Sequence, residues 1–165
     1  MINMALKLKR REEEGRPIMT GIVGMGQMGT TLVGQISLMK GMRPAVVVDH
    51  KLPAVRAAFT RAGYKEGEDF EIAETVAEGN RILATGKFVG TLNDALATQC
   101  DAVECSVDAT GVPEAGARIA LDAINAGKHI VMLNVETDVC IGHILYKLAQ
   151  NAGVIYTGTA GDEPG

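Results

Sequence analysis

The chain has 165 residues, a formal net charge of −4 at pH 7, and 47% hydrophobic residues with no Trp. This length suits one domain with a sizeable core and is short for two domains of ordinary size. The charge is modest and no basic cluster is large enough to mark a nucleic-acid interface, so we expect no nucleic-acid partner. No apolar run has membrane-spanning length and no signal-peptide pattern is present, which favours a cytoplasmic protein without a membrane partner.

The cysteines exclude some further classes of protein. Cys100, Cys105 and Cys140 are odd in number and have no CxxC spacing. We therefore expect neither a disulfide framework nor a bound metal, and a reducing compartment is the natural setting. For Cys140 we expect a buried, inert thiol, because the sequence identifies no base that would partner it.

The first half of the chain predicts a charged lead-in helix, two strand–helix units, and then a third helix followed by a short edge strand. Residues 5–14 are charged and helix-permissive, with Lys9 four residues before Glu13, and we expect a solvated helix that ends at Gly15. Short apolar runs bounded by Gly and Pro predict strands that are buried on both faces. In chain order, the predicted elements are a strand over 18–23, a helix over 30–39, a strand over 45–48, a helix over 52–62, an unassigned acidic stretch over 64–73, a helix over 74–85 and a short edge strand over 87–90.

The second half repeats the alternation more clearly. In chain order, it predicts a short helix over 93–98, a strand over 101–107, a helix over 113–126, a strand over 129–133, a helix over 137–151 and a strand over 154–156. Alternating strands and helices imply parallel strands joined by right-handed crossovers, with helices on both faces of the sheet. The predicted fold class is therefore α/β, with a doubly wound, mostly parallel sheet. We divide the chain into a lead-in helix (1–17), one domain (18–160) and the start of a link (161–165).

A glycine-rich loop stands between the first predicted strand and the helix after it. Gly24, Gly26 and Gly29 form a GxGxxG pattern, with Gln27 and Met28 between the second and third glycines. In a dinucleotide-binding loop the first glycine permits a tight turn, the second lets the backbone approach a pyrophosphate, and the third lets helix and strand pack closely. Free amides at the start of the helix then bind the phosphates, helped by the helix dipole. The pattern predicts a Rossmann-type dinucleotide site.

An acidic residue ends the second predicted strand, about twenty residues past the last glycine, as the dinucleotide fingerprint requires. The carboxylate of Asp49 is expected to accept hydrogen bonds from the adenosine ribose and to repel a 2′-phosphate, which favours NAD over NADP. His50 and Lys51 follow directly and could meet a 2′-phosphate if Asp49 turned away, so NADP stays open as the cofactor. The alternative is a glycine-rich turn followed by an Asp that caps the next helix.

Two later loops lie at the carboxyl ends of strands, where open α/β sheets bind ligands. Ala109, Thr110 and Gly111 follow one strand, and Asn134 and Glu136 follow the next. We predict that their backbone and amide groups contact the nicotinamide ribose. The alternatives are a simple turn into the following helix for the first loop and an ordinary helix cap for Asn134.

With these residues in place, the chain resembles the homoserine dehydrogenase-like oxidoreductases. It resembles most closely a branch that includes reductoisomerase-like enzymes acting on deoxyxylulose phosphate. The resemblance covers nearly the whole chain, including the lead-in over 8–18 and the glycine loop. Its most specific stretches are GKHIVMLNVETD at 127–138 and GDEPG at 161–165.

The resemblance implies an NAD(P)-dependent enzyme that transfers hydride between the nicotinamide ring and the carbonyl or alcohol carbon of a small molecule. In such families the glycine loop and the acid bind the cofactor, and the two later loops flank the nicotinamide. A second domain supplies the substrate pocket and the acid–base residues, so we expect this fragment alone to be inactive. Asp162 and Glu163 are the weak candidates to reach the substrate, with an exposed hinge as the alternative. Homoserine dehydrogenases carry a lysine in the loop where Glu136 follows Asn134, which argues against homoserine as the substrate.

Two other functions share part of this pattern. A non-catalytic NAD(H)-binding regulatory module would have the same loop and acid, and adenosylmethionine-dependent methyltransferases also combine a glycine loop with an acid after the second strand. The GxGxxG spacing and the six alternating strands favour a dinucleotide over adenosylmethionine. We expect a small-molecule substrate as the partner. A homo-oligomer is also compatible with the sequence, because a cofactor domain without its second domain would expose an apolar face.

Overall fold

A computed structural model describes residues 3–159, so the predictions for Asp162, Glu163 and the segment 161–165 fall outside the described residues. The helices are α1 (Met4–Glu13), α2 (Gln27–Leu38), α3 (Leu52–Arg61), α4 (Val76–Ala84), α5 (Ala95–Gln99), α6 (Pro113–Asn125) and α7 (Val135–Ala152). The strands are β1 (Ile18–Val23), β2 (Met42–Val48), β3 (Phe70–Ile72), β4 (Phe88–Thr91), β5 (Cys105–Asp108), β6 (His129–Met132) and β7 (Tyr156–Gly158). Within this range, no helix combines the length and apolar character needed to cross a membrane.

The strands form one parallel sheet in the order β3-β4-β2-β1-β5-β6-β7. The chain runs from β1 towards one edge and then returns to place β5 on the other side of β1. The strand order therefore reverses between β1 and β5, and doubly wound sheets bind their ligands at the carboxyl ends of strands at such a point. This is the Rossmann-type α/β fold that the alternation of elements predicts.

Helices cover both faces of the sheet. On one face α2 and α3 contribute Val33 and Phe59 to a buried apolar cluster. On the other face α5, α6 and α7 contribute Leu96, Ile119 and Leu145 to a second cluster. Burying a side chain of this size stabilises the fold by about 1.5–3 kcal/mol relative to leaving it in water. The two clusters pack the helices against the sheet, and the sheet carries the loops at its carboxyl edge.

The sheet has one strand more than the sequence predicts. β3 lies within the unassigned acidic stretch, where three residues are too few to show a strand period. Phe70 in β3 is 1% exposed and stacks on Phe59 with ring centroids 4.3 Å apart. This tertiary contact fixes β3 at the edge of the sheet. As a consequence β4, which we predicted to be an edge strand, lies between β3 and β2.

Several boundaries also differ from the prediction: β2 begins at Met42 and not at residue 45, and β7 spans Tyr156–Gly158 and not 154–156. β5 begins at Cys105 and not at residue 101, because the preceding residues form a turn in which the amide of Val103 donates to the carbonyl of Cys100. α2 begins at Gln27, so the glycine loop runs directly into the helix. α7 begins at Val135, immediately after the residue that caps it.

Cys140 corrects one prediction of the sequence. It is exposed on α7, whereas Cys100 is buried. The buried face of α7 carries Gly142, Leu145 and Ala149, and Cys140 lies outside that face. The helical phase, which the sequence alone left open at this position, therefore turns the thiol to solvent.

The lead-in helix α1 is bonded to the amino ends of two strands although none of its residues is buried. Glu12 accepts the backbone amide of Gly41 at 2.7 Å and pairs with Arg43, both next to or within the start of β2. Arg11 donates to both carboxylate oxygens of Glu104, just before β5, at 2.6 and 2.7 Å. α1 is therefore part of the folded domain, at the edge opposite to the carboxyl ends of the strands.

Candidate functional site

The three glycines of the loop between β1 and α2 have different surroundings. Gly24 has a φ of +97°, and a Cβ at this position would lie 2.7 Å from the carbonyl oxygen of Ala109. A Cβ at Gly29 would overlap the carbonyl oxygen of Gly24. A Cβ at Gly26, by contrast, would have no atom within 4 Å. The packing of the protein itself thus requires the first and third glycines, while the second borders open space.

The amino end of α2 presents unpaired backbone amides to that space. Gly26 is the N-cap residue of the helix and no side chain caps it. The first turn, which begins at Gln27, contains no acidic residue, and the side chain of Met28 is 52% exposed. The first amides of a helix have no intrahelical acceptor and lie at the positive end of the helix dipole. Such an end can bind phosphate oxygens.

Asp49 lies immediately after β2 and its carboxylate faces the glycine loop. Its Oδ2 accepts the backbone amide of Met25 at 2.7 Å, and its Oδ1 accepts the amide of Lys51 at 2.9 Å. The residue is 9% exposed, and the largely exposed His50 places its Nδ1 at 3.1 Å from Oδ1. The N-cap residue of α3 is Lys51, and Asp49 bonds the amide of Lys51 itself and not an amide of the first turn of α3. Oδ2, which has the amide of Met25 as its partner, keeps a lone pair for another donor.

A cleft of about 530 Å³ opens beside these groups at the carboxyl edge of the sheet. It lies at the reversal of strand order, between the loops that follow β1, β2, β4 and β5. The predicted site residues that line it are Gly24, Gly26, Asp49, His50, Lys51, Ala109 and Thr110.

The cleft also has walls that the sequence analysis missed. Leu92 and Asp94 line it from the loop after β4, and Arg118 and Ile119 line it from α6. The signal for the first two was present, because the loop after every parallel strand lies at this edge of the sheet. The sequence could not predict Arg118, because its place at the cleft depends on how α6 packs against the sheet.

An ion pair neutralises part of the charge on this wall. Arg118 donates to both carboxylate oxygens of Asp94, with Nη1 at 2.9 Å from Oδ1. The hydrogen bond from this pair raises the pKa of Arg118 above its ordinary value. Arg118 is half-exposed, so a planar cation with a fixed partner borders the cleft.

Six of the thirteen predicted cofactor-binding residues do not line the cleft: Gln27, Met28 and Gly29 in the first turn of α2, and Gly111, Asn134 and Glu136. Gly111 is exposed with a φ of +66°, and Glu136 is exposed in the first turn of α7. Asn134 is only 1% exposed.

Asn134 caps α7 and also joins two loops. Its Oδ1 accepts the amide of Thr137 at 3.1 Å, which is the capping role given above as the alternative. Its Nδ2 lies 2.9 Å from Oδ2 of Asp108, 3.1 Å from Oγ1 of Thr110 and 3.0 Å from the carbonyl oxygen of Val112. The buried amide therefore connects the end of β6 with the loop that follows β5.

No protein-family model matches the sequence, and a search of curated proteins found no significant match. Solved structures do match the fold. A homoserine dehydrogenase from Thiobacillus denitrificans matches with a TM-score of 0.62 and 19% identity, over 87% of this chain and 29% of that chain. The chain thus spans about a third of the length of this and the other dehydrogenases named below.

Several matching structures were solved with ligands, and two of these contain NADH or NAD(H). The WlbA dehydrogenase from Bordetella pertussis, in complex with NADH and UDP-GlcNAcA, has a TM-score of 0.56 and 20% identity, over 87% of this chain and 37% of that chain. The scyllo-inositol dehydrogenase from Lactobacillus casei, with bound NAD(H) and scyllo-inositol, has a TM-score of 0.60 and 16% identity, over 87% of this chain and 36% of that chain. At these identities the likeness establishes a shared fold, and residues 3–159 have the α/β architecture found in these dehydrogenases.

Proposed function

We propose that this chain is the NAD(P)-binding domain of an oxidoreductase that transfers hydride to or from a small carbonyl or alcohol substrate. The observation that carries the proposal is the contrast among the three glycines. Gly24 and Gly29 are packed against backbone, whereas Gly26 is open to the cleft at an uncapped helix end. Folding alone gives no reason for the open position to lack a side chain, but a pyrophosphate that lies against the backbone does.

The sheet topology supports one orientation for the dinucleotide. Asp49 follows β2, and Ala109 and Thr110 follow β5, which lies on the other side of β1. A dinucleotide with its phosphates at Gly26 would then place the adenosine ribose at Asp49 and the nicotinamide half near Thr110. The nicotinamide ring supplies the redox chemistry when it is bound, and the residues of this chain bind and orient it.

The environment of Asp49 favours NAD as the cofactor. If the carboxylate turned away, the amides of Met25 and Lys51 would lose their acceptor. Leaving a buried donor unpaired costs about 1–3 kcal/mol, so the charge tends to stay where a 2′-phosphate would lie. His50 and Lys51 are exposed at the rim and are the groups through which NADP would bind instead.

The finer identity that we propose is a homoserine dehydrogenase-like oxidoreductase, of the branch that includes the reductoisomerase-like enzymes. The dehydrogenases that share this fold support the class. In this proposal the enzyme transfers hydride to or from a small molecule, and Asp162 and Glu163 are the candidates to contact that substrate. The unpaired cysteines support a reducing, cytoplasmic setting.

Titration with NADH and NADPH, followed by fluorescence, tests the proposal on the wild-type chain and on a Gly26→Val variant. Gly26 has φ −70° and ψ −161°, an extended conformation that valine accepts, so the variant should fold. We expect NADH to bind the wild-type chain and not the variant. Gly34→Ala is the matched control, because Gly34 also has open space around it but lies within α2, and it should bind NADH normally.

Two results would overturn the proposal. The first is a wild-type chain that binds neither nucleotide at millimolar concentration. The second is a folded Gly26→Val variant that binds NADH as tightly as the wild-type chain, since the valine would fill the space assigned to the pyrophosphate.

A further inference from the structure

Thr110 lines the cleft, and its hydroxyl oxygen faces two hydrogen-bond donors. The Nδ2 of Asn134 lies 3.1 Å from this oxygen, and the backbone amide of Val112 lies at 3.4 Å. Other threonine hydroxyls, such as those of Thr20 and Thr30, donate to backbone carbonyls. Among residues 3–159, no group accepts the proton of the Thr110 hydroxyl. Because donors occupy the acceptor side of the oxygen, its proton points away from them.

The partners of Asn134 fix which way its amide faces. Its NH2 group faces a carboxylate oxygen of Asp108 and the carbonyl oxygen of Val112, both acceptors, and its oxygen faces the amide of Thr137, a donor. A reversed amide would set oxygen against oxygen on one side and donor against donor on the other. Asn134 is also too deeply buried to touch a molecule in the cleft. Its effect on the cleft therefore passes through Thr110 and Val112, and of these two partners only Thr110 has a side-chain hydroxyl that can donate to a ligand.

The loop that carries Thr110 also abuts the glycine loop. The amide of Ala109 donates to the carbonyl of Val23 at 2.8 Å, and the amide of Thr110 donates to Oδ1 of Asp108 at 3.0 Å. Backbone atoms of Ala109 and Thr110 lie close enough to Gly24 to leave no room for a side chain there. The hydroxyl is thus held beside the proposed phosphate site, on the β5 side.

We propose that Asn134 is a positioning residue that makes the Thr110 hydroxyl a fixed donor to an oxygen atom in the nicotinamide half of the bound dinucleotide. This inference rests on the proposed function. The nicotinamide half is assigned because Thr110 and Asp49 lie on opposite sides of β1, and Asp49 holds the adenosine side. In this arrangement the acceptor oxygen belongs to the cofactor, and the amide of Asn134 sets the direction of the donated proton.

The test measures the dissociation constants of NADH and ADP for variants at both positions. Thr110→Val should weaken NADH binding by about 3- to 10-fold, the range of one net hydrogen bond, and Thr110→Ser should restore it. Asn134→Ser keeps a good N-cap for α7 but is too short to reach Thr110, and it should weaken NADH binding to a similar extent. In the Asn134→Ser background the further change Thr110→Val should weaken binding by less than about 2-fold, because residues that act through one interaction are not additive.

The controls separate positioning from general loss of stability. Thr20→Val makes the same chemical change at a hydroxyl that bonds the carbonyl of Arg43, in the amino-terminal half of β1, and should leave NADH affinity unchanged. Binding of ADP, which lacks the nicotinamide half, should be unchanged in the Thr110 and Asn134 variants. Additive effects in the double variant, or equal losses for ADP and NADH, would overturn the inference. Normal NADH binding by Thr110→Val would also overturn it. A wild-type chain that does not bind NADH would instead refute the proposed function.

Discussion

The Oδ2 atom of Asp49 accepts the backbone amide of Met25 at 2.7 Å, so the end of β2 is fastened to the glycine loop. The other oxygen of the same carboxylate accepts the amide of Lys51 at 2.9 Å. One side chain therefore orders the loop that would hold the phosphates and stands where the adenosine ribose would bind. Under the proposed function, binding and folding would depend on the same group at this position.

Replacement of Asp49 by alanine should affect both properties. Two backbone amides lose their acceptor, which predicts a loss of about 1–3 kcal/mol in the free energy of unfolding. Removal of the negative charge should also weaken NADH binding and reduce the preference for NADH over NADPH. Urea unfolding and paired titrations measure these effects, with Glu13→Ala on the exposed face of α1 as the control. An undiminished preference for NADH in Asp49→Ala would contradict the role given to this carboxylate.

A change to alanine should lower the free energy of unfolding strongly at Gly29 and hardly at all at Gly26. A Cβ at Gly29 meets the carbonyl oxygen of Gly24, and a backbone atom cannot move aside as the end of a side chain can. We expect Gly29→Ala to destabilise the chain by about 3 kcal/mol, at the upper end for overpacking. Gly26→Ala has open space and should stay within about 0.5 kcal/mol of the wild-type chain. Thermal or urea unfolding measures both changes. Equal losses of unfolding free energy in the two variants would contradict the packing described for the glycine loop.

The structural features that the sequence predicted correctly are those whose requirements are local. Gly24 needs its positive φ and Gly29 its close approach within a few residues of the chain, and this fixed spacing makes the loop recognisable. Asp49 could be located because it ends a strand at a known distance from that loop. The parallel sheet could likewise be predicted, because buried strands appear as short apolar runs and surface helices as amphipathic segments, and both patterns are local.

The features that the sequence missed depend on contacts between distant parts of the chain. Phe70 makes β3 a strand by stacking on Phe59, which no local period reveals. Asn134 lies 26 residues from Asp108 in the chain, and the hydrogen bond between them forms because β5 and β6 are neighbours in the sheet. The face that Arg118 presents to the cleft depends in the same way on how α6 packs on the sheet.

The three thiols should differ sharply in reactivity. Burial raises the pKa of both Cys100 and Cys105 to about 11, so these thiols stay protonated at neutral pH. Cys140 is exposed on α7. Titration of the folded chain with a disulfide reagent at about pH 8, where thiolate is the reacting form, should show one fast thiol that is lost in Cys140→Ser. Rapid reaction of all three thiols in the folded chain would contradict the burial of Cys100 and the partial burial of Cys105.

The attachment of α1 should depend on pH through Glu12. Hydrogen bonds from Arg43 and from the amide of Gly41 hold the pKa of Glu12 below its ordinary value of 4.5. A carboxyl group whose pKa is lower in the folded state stabilises the fold above its unfolded pKa, and this contribution is lost as the pH falls through the folded pKa. Glu12→Gln should therefore be less stable than the wild-type chain at neutral pH, and the difference should close in acid.

Urea unfolding of both chains at neutral pH and in acid measures this dependence. Glu13→Gln is the matched control, because Glu13 is exposed and its pair with Lys9 is long, at 3.7 Å. A difference between wild-type and Glu12→Gln that persists unchanged in acid would show that the charge of Glu12 does not stabilise α1.

A crystal structure of the chain grown with NADH tests the central claim most directly. We predict that the pyrophosphate lies against the backbone of Gly26, within hydrogen-bonding distance of the first amides of α2, and that the carboxylate of Asp49 accepts the hydroxyls of the adenosine ribose. A dinucleotide bound elsewhere, or one bound with Asp49 turned away from the ribose, would contradict the account.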